Sequence, residues 1–412
     1  MPAPAPTPSL RCLLLTACCA LFTLNGFAEE KSWWKPDWTI RKKITLDTSD
    51  KGAAITDAIG TTTVLVRLHE GNFQFGMAKE DGSDIRCVTE DDKTELATHL
   101  ERYDSLMNEA FLWVKVPDVK PGAQVAFWLY YGNTAGELTK PADAKERYDA
   151  DTTLVYHFSE NNSAPTDASG NGNAADKAGT PVAGAQIGGG LRLTGQNTVT
   201  TAATPALQWV QGGNLTWSGW VKHTVLGPNA ILFSRREGGN AFIIGANDGV
   251  PYVELNSGSG AQRTPAGQPL PVNMWKHLAV VVSGSQTTLY VDGELYGSVA
   301  AGLPALNSPC LTGKDTAGPN PTAAGFVGEL DEMQIAKVAR SAGFVKAAYI
   351  SQSGVDKAAK LITETADEQA GAHEHDIIQE HVDLIVDISK SLTIDGWAVI
   401  IACTILALIG GL

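Results

Sequence analysis

Short runs of alternating apolar and polar residues, separated by turn residues, make up most of this chain. Ile40 to Leu46 puts Ile40, Lys42, Ile44 and Leu46 on one side, the period of two that marks a strand. Thr63-Val64-Leu65-Val66-Arg67-Leu68, Phe111 to Val116 and Val125 to Tyr131 predict three more strands, with Pro117 and Pro121-Gly122 as breaks between them. Residues 32–134 carry almost no helical periodicity. Lys140-Pro141-Ala142-Asp143 interrupts any regular element, and residues 135–150 read as a linker. Leu154 to Phe158 opens a second β domain, residues 151–350. Asp167-Ala168-Ser169-Gly170-Asn171-Gly172-Asn173 is a dense turn, and Leu215 to Val221 alternates like a half-buried strand. Met274 to Val282 and Thr288 to Glu294 predict paired strands, the second ending in an Asp-Gly turn, and Phe326 to Ile335 predicts the last strand.

The pattern changes toward the C-terminus. Ala339 to Gln352 suits a short helix capping the second domain. Residues 351–391 then become acidic, with Glu364, Asp367, Glu368, Glu374, Asp376, Glu380, Asp383 and Asp387. Ile377, Ile378, Val382, Leu384, Ile385 and Ile388 recur at helical spacing, which predicts a helical stalk. Gly396 to Leu412 carries no charge, and with Leu392 to Asp395 it reaches about twenty residues, enough to cross a bilayer. Trp397 stands where an interfacial aromatic belongs. The alternative is a core helix at a chain end. No Lys or Arg follows the run, so the expectation is the front part of a longer membrane protein.

Residues 1–28 have the form of an export signal: Arg11, the apolar run Cys12 to Leu24, then Gly26-Phe27-Ala28 before a cleavage point at Glu29. Lipidation at Cys18, after Leu15-Thr16-Ala17, is the competing outcome to cleavage after Ala28. A leader in front and a spanning segment at 392–412 place residues 29 to about 391 outside the cytoplasm, held to a membrane by the tail.

Composition adds limits. The 412 residues carry 31 Lys and Arg against 45 Asp and Glu, a net charge of -14. That excludes nucleic acid as a natural partner and disfavours anionic lipid. A mean hydropathy of -0.06 belongs to a body that is largely water-exposed. Forty-two Gly and twenty Pro fit many strands and turns. Of six cysteines only Cys87 and Cys310 lie outside the leader and the apolar tail, in different domains, so a disulfide framework is not expected.

Few residues invite chemistry. Glu329, Asp331 and Glu332 evoke the paired carboxylates of glycan hydrolases. On a regular strand Glu329 and Asp331 share a face while Glu332 points away, and a retaining mechanism needs carboxyls ~5 Å apart. Without a bulge the pair fails, and no catalytic residue is assigned. Asp167 and Asp331 are candidates for a structural calcium ion, against plain turn and cap hydrogen bonding. No other cofactor is expected. His373-Glu374-His375 with His381 lacks a ligand spacing that one helical face would present. Trp217, Trp220 and Trp275 read as core, with a sugar-stacking role as the alternative.

Three resemblances sharpen this. Trp38-Thr39-Ile40-Arg41-Lys42-Lys43-Ile44, Asp81-Gly82-Ser83-Asp84-Ile85-Arg86, Trp113-Val114-Lys115-Val116-Pro117 and Leu129-Tyr130-Tyr131-Gly132-Asn133 resemble an uncharacterised bacterial envelope domain family. Cys87 departs from it, where an aromatic is more usual. The family implies a β-sandwich and no known chemistry. The Asp-x-Ser-Gly turn, Trp217-Ser218-Gly219-Trp220-Val221, Trp275-Lys276-His277, Tyr290-Val291-Asp292-Gly293 and Gly328-Glu329-Leu330-Asp331-Glu332 resemble the concanavalin A-like, laminin-G-type jelly roll. That fold hosts lectins, glycosidases and adhesion modules. Leu392 to Trp397, in this domain order, is similar to the entry into MotA/TolQ/ExbB-type proton-channel fusions. The sequence therefore predicts a mainly β chain of two sandwiches, a helical stalk and one transmembrane helix. The resemblances imply a bacterial inner-membrane protein with the bulk of the chain in the periplasm, whose role is a non-enzymatic binding or sensing region of an energy-coupled transport system, with a homo-oligomer through the membrane part. The alternative is a membrane-anchored carbohydrate-binding or adhesion protein, and a glycan hydrolase stands behind both.

Overall fold

The computed structural model describes residues 32–133, 143–258, 260–315 and 324–370. The leader at 1–28, residues 371–391 of the expected stalk and the apolar segment 392–412 lie outside the described residues, as do His373, His375 and His381. Among the described residues no helix is long and apolar enough to cross a membrane.

The first domain begins with β1 (Trp38–Asp47), β2 (Gly60–His69), β3 (Arg86–Thr89), β4 (Glu95–Leu96), β5 (Thr98–Asp104), β6 (Glu109–Val119) and β7 (Gln124–Asn133). Antiparallel β1, β7, β3 and β4 form one sheet, and β2, β6 and β5 form a smaller one. Val64, Val66, Leu112, Val114 and Val116 face inward against Ile40, Ile44, Phe127 and Leu129. The other face of the small sheet is buried too: Leu65, Phe111 and Trp113 pack on Ile187 of the second domain. That double burial explains why β2 and β6 read as nearly continuous apolar runs, as expected where a sheet is covered on both faces.

The second domain contributes β8 (Thr152–Tyr156), β9 (Thr180–Ala183), β10 (Gly189–Thr194), β11 (Val199–Thr201), β12 (Leu215–His223), β13 (Ala230–Glu237) and β14 (Asn240–Asn247). It continues with β15 (Val250–Ser257), β16 (Ala261–Arg263), β17 (Lys276–Ser283), β18 (Gln286–Val291), β19 (Glu294–Val299), β20 (Cys310–Thr312) and β21 (Val327–Ala336). One sheet runs β19-β18-β17-β12-β21-β10-β9, with β8 also on β21, and the facing sheet runs β11-β20-β13-β14-β15-β16. Between them lies the largest core, including Trp217, Phe233, Phe242, Val280, Leu330 and Ile335. Asp292 and Gly293 both have positive φ and close the β18–β19 hairpin, as their Asp-Gly sequence predicts.

Helix α1 (Ala342–Gln352) follows, capped by Ser341, whose Oγ accepts from Phe344 N at 3.1 Å. Val345 packs on Ala279 and Val281, the outer face of the large sheet, while Ala347 and Ile350 enter the core of the first domain. The helix is thus shared by both domains. Gly343 permits the approach: a Cβ there would overlap the carbonyl oxygens of Asp57 and Ala58. Gly343→Ala is expected to destabilise the protein by ~1–3 kcal/mol in urea unfolding, because overpacking outweighs the gain in helix propensity. Unchanged or increased stability would mean that the helix is free to shift.

After α1 the expected stalk is not what the structure shows. Helix α2 (Val355–Ala358) leads to β22 (Ile362–Glu364) and β23 (Glu368–Gln369), both paired antiparallel with β1. Leu361 fills the core of the first domain. The acidic residues meet buried cations: Lys42 Nζ lies 3.3 Å from Asp367 and 3.9 Å from Glu364, and Arg41 lies 3.0 Å from Glu368. Cross-strand pairing and these ions override the helical tendency of an Ala-, Glu- and Lys-rich stretch. The first domain is therefore built from two separated parts of the chain.

Candidate functional site

Two features stand at the domain junction: a surface trough and, beneath it, a buried polar cluster.

The trough has two arms that share Gln186, Gly354 and Val355. One arm, of about 420 Å³, is lined by Trp275, Met274, Lys276, Asp292, Trp220 and Tyr349. Trp275 stands at the start of β17 and is half-buried, and Lys222 Nζ lies 4.9 Å over its ring. Lys276 Nζ donates to Asp292 Oδ2 at 2.6 Å. The other arm, also about 420 Å³, runs past Arg67, His69, Arg102, Glu109 and Phe111 of the first domain and Gly184, Ala185, Gln186 and Gly188 of the second. Gln352 fastens the trough floor: its side chain accepts from Trp220 Nε1 at 2.7 Å, and its carbonyl accepts from Arg67 at 2.9 Å and Gln186 at 3.1 Å.

Trp217 and Trp220 are buried, at 0% and 3% exposure, as the core reading expects. Trp275 is the most exposed of the three and stands in the cleft that Trp220 lines from below. Beside it, His277 is enclosed by Trp220 and Tyr349, with ring centroids 5.3 and 6.1 Å away. Burial pushes its imidazole down to about 4.

The cluster joins three elements. His157, just past β8, turns Nδ1 toward Glu332 of β21, at 2.8 and 2.9 Å from its two oxygens. Glu101 of β5 brings Oε2 to 3.5 Å from the same nitrogen. Tyr148 OH lies 3.2 Å from His157 Nε2, and Trp113 Nε1 donates to Glu101 Oε2 at 2.7 Å. His99 stacks on His157 at 5.1 Å. Burial pushes Glu101 up to about 7 and Glu332 well above the carboxylate range, while it holds His157 below the usual imidazole range.

Glu332 does not point away from Asp331, as a regular strand would have it. The β12–β21 register shifts between Ser218 and Trp220, and Glu332 has φ +53°. This bulge puts an extra residue into β21 and turns Glu332 toward His157 and the first domain. Arg340, further along the chain, pairs with Asp149 at 2.6 Å. Glu329 is held by Arg192 at 3.0 Å and by Lys222. Asp331 accepts from Ile187 N and Glu332 N, each at 2.8 Å. Asp167 accepts from the backbone of Val155, Ser169 and Asn173 and from Ser169 Oγ. Both calcium candidates thus spend their oxygens on turn and strand-edge donors. Neither belongs to the converging group of Glu101, His157 and Glu332 among the described residues.

Glu101 and His157 carried no weight in the sequence reading. His157 did leave a signal: one ionisable residue inside Leu154-Val155-Tyr156-His157-Phe158, an otherwise buried run. Glu101 left none, because β5 is mostly polar and one more acid in it does not stand out.

Residues 193–346 match the family model described as Concanavalin A-like lectin/glucanases superfamily, and residues 81–172 match a domain of unknown function, DUF2341. Neither match reaches residues 392–412, the stretch behind the MotA/TolQ/ExbB resemblance. No curated protein matches the chain. Among solved structures, the binding domain of Paraclostridial Mosquitocidal Protein 1 is similar at 17% identity and a TM-score of 0.41, covering 49% of this chain and 52% of that one. Domain 4 of AbnA, a GH43 extracellular arabinanase from Geobacillus stearothermophilus, in complex with arabinotriose, is similar at 20% identity and a TM-score of 0.39, over 48% of this chain and 97% of that one. The Botulinum Neurotoxin serotype G binding domain is similar at 13% identity and a TM-score of 0.41, over 48% and 50%. The chain therefore spans about half the length of the first of these structures. The second domain is a concanavalin A-like jelly roll, a fold of binding modules as well as enzymes.

Proposed function

We propose that this chain is a non-enzymatic carbohydrate-binding protein whose glycan lies in the trough between its two domains. The arm around Trp275 carries the reading. It has the volume of a small-ligand cleft, an aromatic face, and a charged pair whose atoms can bond hydroxyls. Lys222 holds the indole from one side, so its position is set before any ligand arrives. The match of residues 193–346 to a lectin and glucanase superfamily supports the same class. The continuation of the trough past Gln186 favours an oligosaccharide over a single sugar.

Catalysis is disfavoured by access. Glu101 and Glu332 are near enough for two-carboxylate chemistry, but their side chains are 1% and 0% exposed. Glu329 is tied to Arg192 and Lys222. We place the binding face outside the cytoplasm, in line with the leader at 1–28.

A glycan array, followed by calorimetry on the full chain, tests this. Saturable binding to at least one glycan is expected, and Trp275→Ala should weaken it about tenfold or more while leaving the circular dichroism spectrum unchanged. No binding to any glycan, or equal affinity of the variant, would remove the proposal.

A further inference from the structure

We propose that His157, Glu101 and Glu332 form a binding site for one divalent transition-metal ion, with Zn²⁺ as the probe, that fastens the two domains together. The donor set is one imidazole nitrogen and two carboxylates, which suits such an ion. Their ligating atoms lie within 4.8 Å of one another. A tetrahedral zinc with legs near 2.1 Å has edges of ~3.4 Å. Glu101 Oε2 already stands 3.5 Å from His157 Nδ1, and Glu332 needs to withdraw by roughly half an ångström to match that edge.

Three further observations point to a cation. Glu101 Oε1 is buried and has no hydrogen-bond partner among the described residues. The cluster gathers the carboxylates of Glu101 and Glu332, while the nearby Arg67 gives its Nη2 to the carbonyls of Gln352 and Ser353. Carboxylates crowded out of water need either protons or a positive ion between them.

The surroundings also fit. Tyr148 OH sits on His157 Nε2 and can accept a hydrogen bond from it in the tautomer that carries the ring proton on Nε2, which leaves the Nδ1 lone pair for the metal. Trp113 fixes the Glu101 carboxylate. Glu101 Oε1 lies beneath Gly188, a residue that lines the trough, so an ion has a short way in. The ligands come from both domains, β5 on one side and, on the other, β21 and the residue just past β8.

The full chain, stripped with a chelator and dialysed, is titrated with Zn²⁺ and separately with Co²⁺. One equivalent is expected, with visible absorption from the bound Co²⁺. Glu101→Gln and His157→Gln should each lower the Zn²⁺ affinity at least about tenfold. Chelation should lower the Tm of the wild type and not that of Glu101→Gln. A chain carrying His373→Ala, His375→Ala and His381→Ala should keep its equivalent. Less than about a tenth of an equivalent bound, unchanged affinity in Glu101→Gln, or loss of binding in the triple-histidine variant would each overturn the site. If His157→Gln does not fold, Glu101→Gln decides, because its amide keeps an oxygen for Trp113.

Discussion

A chain ended after Gly354 should lose about 3–5 kcal/mol of stability in its first domain relative to one ended after Ala370. Three losses add to this. Leu361 leaves the core, where it is 1% exposed. The ladder bonds of β22 and β23 to β1 disappear. Lys42 and Arg41, at 3% and 1% exposure, lose Asp367, Glu364 and Glu368. An uncompensated buried charge costs several kcal/mol, which makes the ions the largest part. Arg41 keeps Asp92 at 2.8 Å and Tyr130 at 2.9 Å, so Lys42 is the more exposed to the loss. Urea unfolding followed by hydrogen exchange on residues 38–47 reads the effect. Lys42→Met in the shortened chain should recover part of the stability, since an apolar side chain needs no partner there. If the shortened chain protects β1 as well as the longer one, β22 and β23 are ornaments of the edge and the two-part domain is wrong.

Acidification should weaken the second domain through His277. Its ring is 1% exposed, and its Nδ1 makes no hydrogen bond among the described residues. Burial lowers its pKa to about 4, and only Asp292 opposes this. The unfolded chain takes up the proton near pH 6.5 and the folded one does so only near 4. Its contribution is therefore complete above pH 6.5 and fades as the pH falls toward 4, by roughly 2–3 kcal/mol at pH 4.5. His277→Phe keeps the ring stack on Trp220 and Tyr349 and removes the titration. Urea midpoints of the two proteins at several pH values should converge or cross as the pH drops. Parallel curves would show that His277 is not the group responsible. His223, also held near 4 by burial, adds a similar slope that the variant leaves in place.

The jelly roll was legible because its strands are half-buried or run between turn residues that the chain spells out. Trp217-Ser218-Gly219-Trp220-Val221 and the Asp292-Gly293 hairpin appear where alternation and turn chemistry put them. The junction was not legible. Its residues come from β5, from β21 and from just past β8, segments with no shared motif, and Glu332 reaches it through a bulge that strict alternation cannot show. The stretch 362–369 failed for a related reason. Its partners, Arg41 and Lys42, lie more than three hundred residues earlier, and local propensity says nothing of them. The trough was half legible: Trp275 was singled out, but only the packing of α1 and Gln352 makes a cleft beside it.

Ser32 and Ala370 sit at the same end of β1. Arg41 Nη1 donates to Ser32 O at 2.6 Å, and Ala370 N donates to Thr39 O at 2.8 Å. A pull applied across these two points would open β23 and then β22 like a zipper, one rung after another, instead of shearing the whole ladder at once. The jelly roll, inserted between the two parts of the first domain, would hang off that line of load.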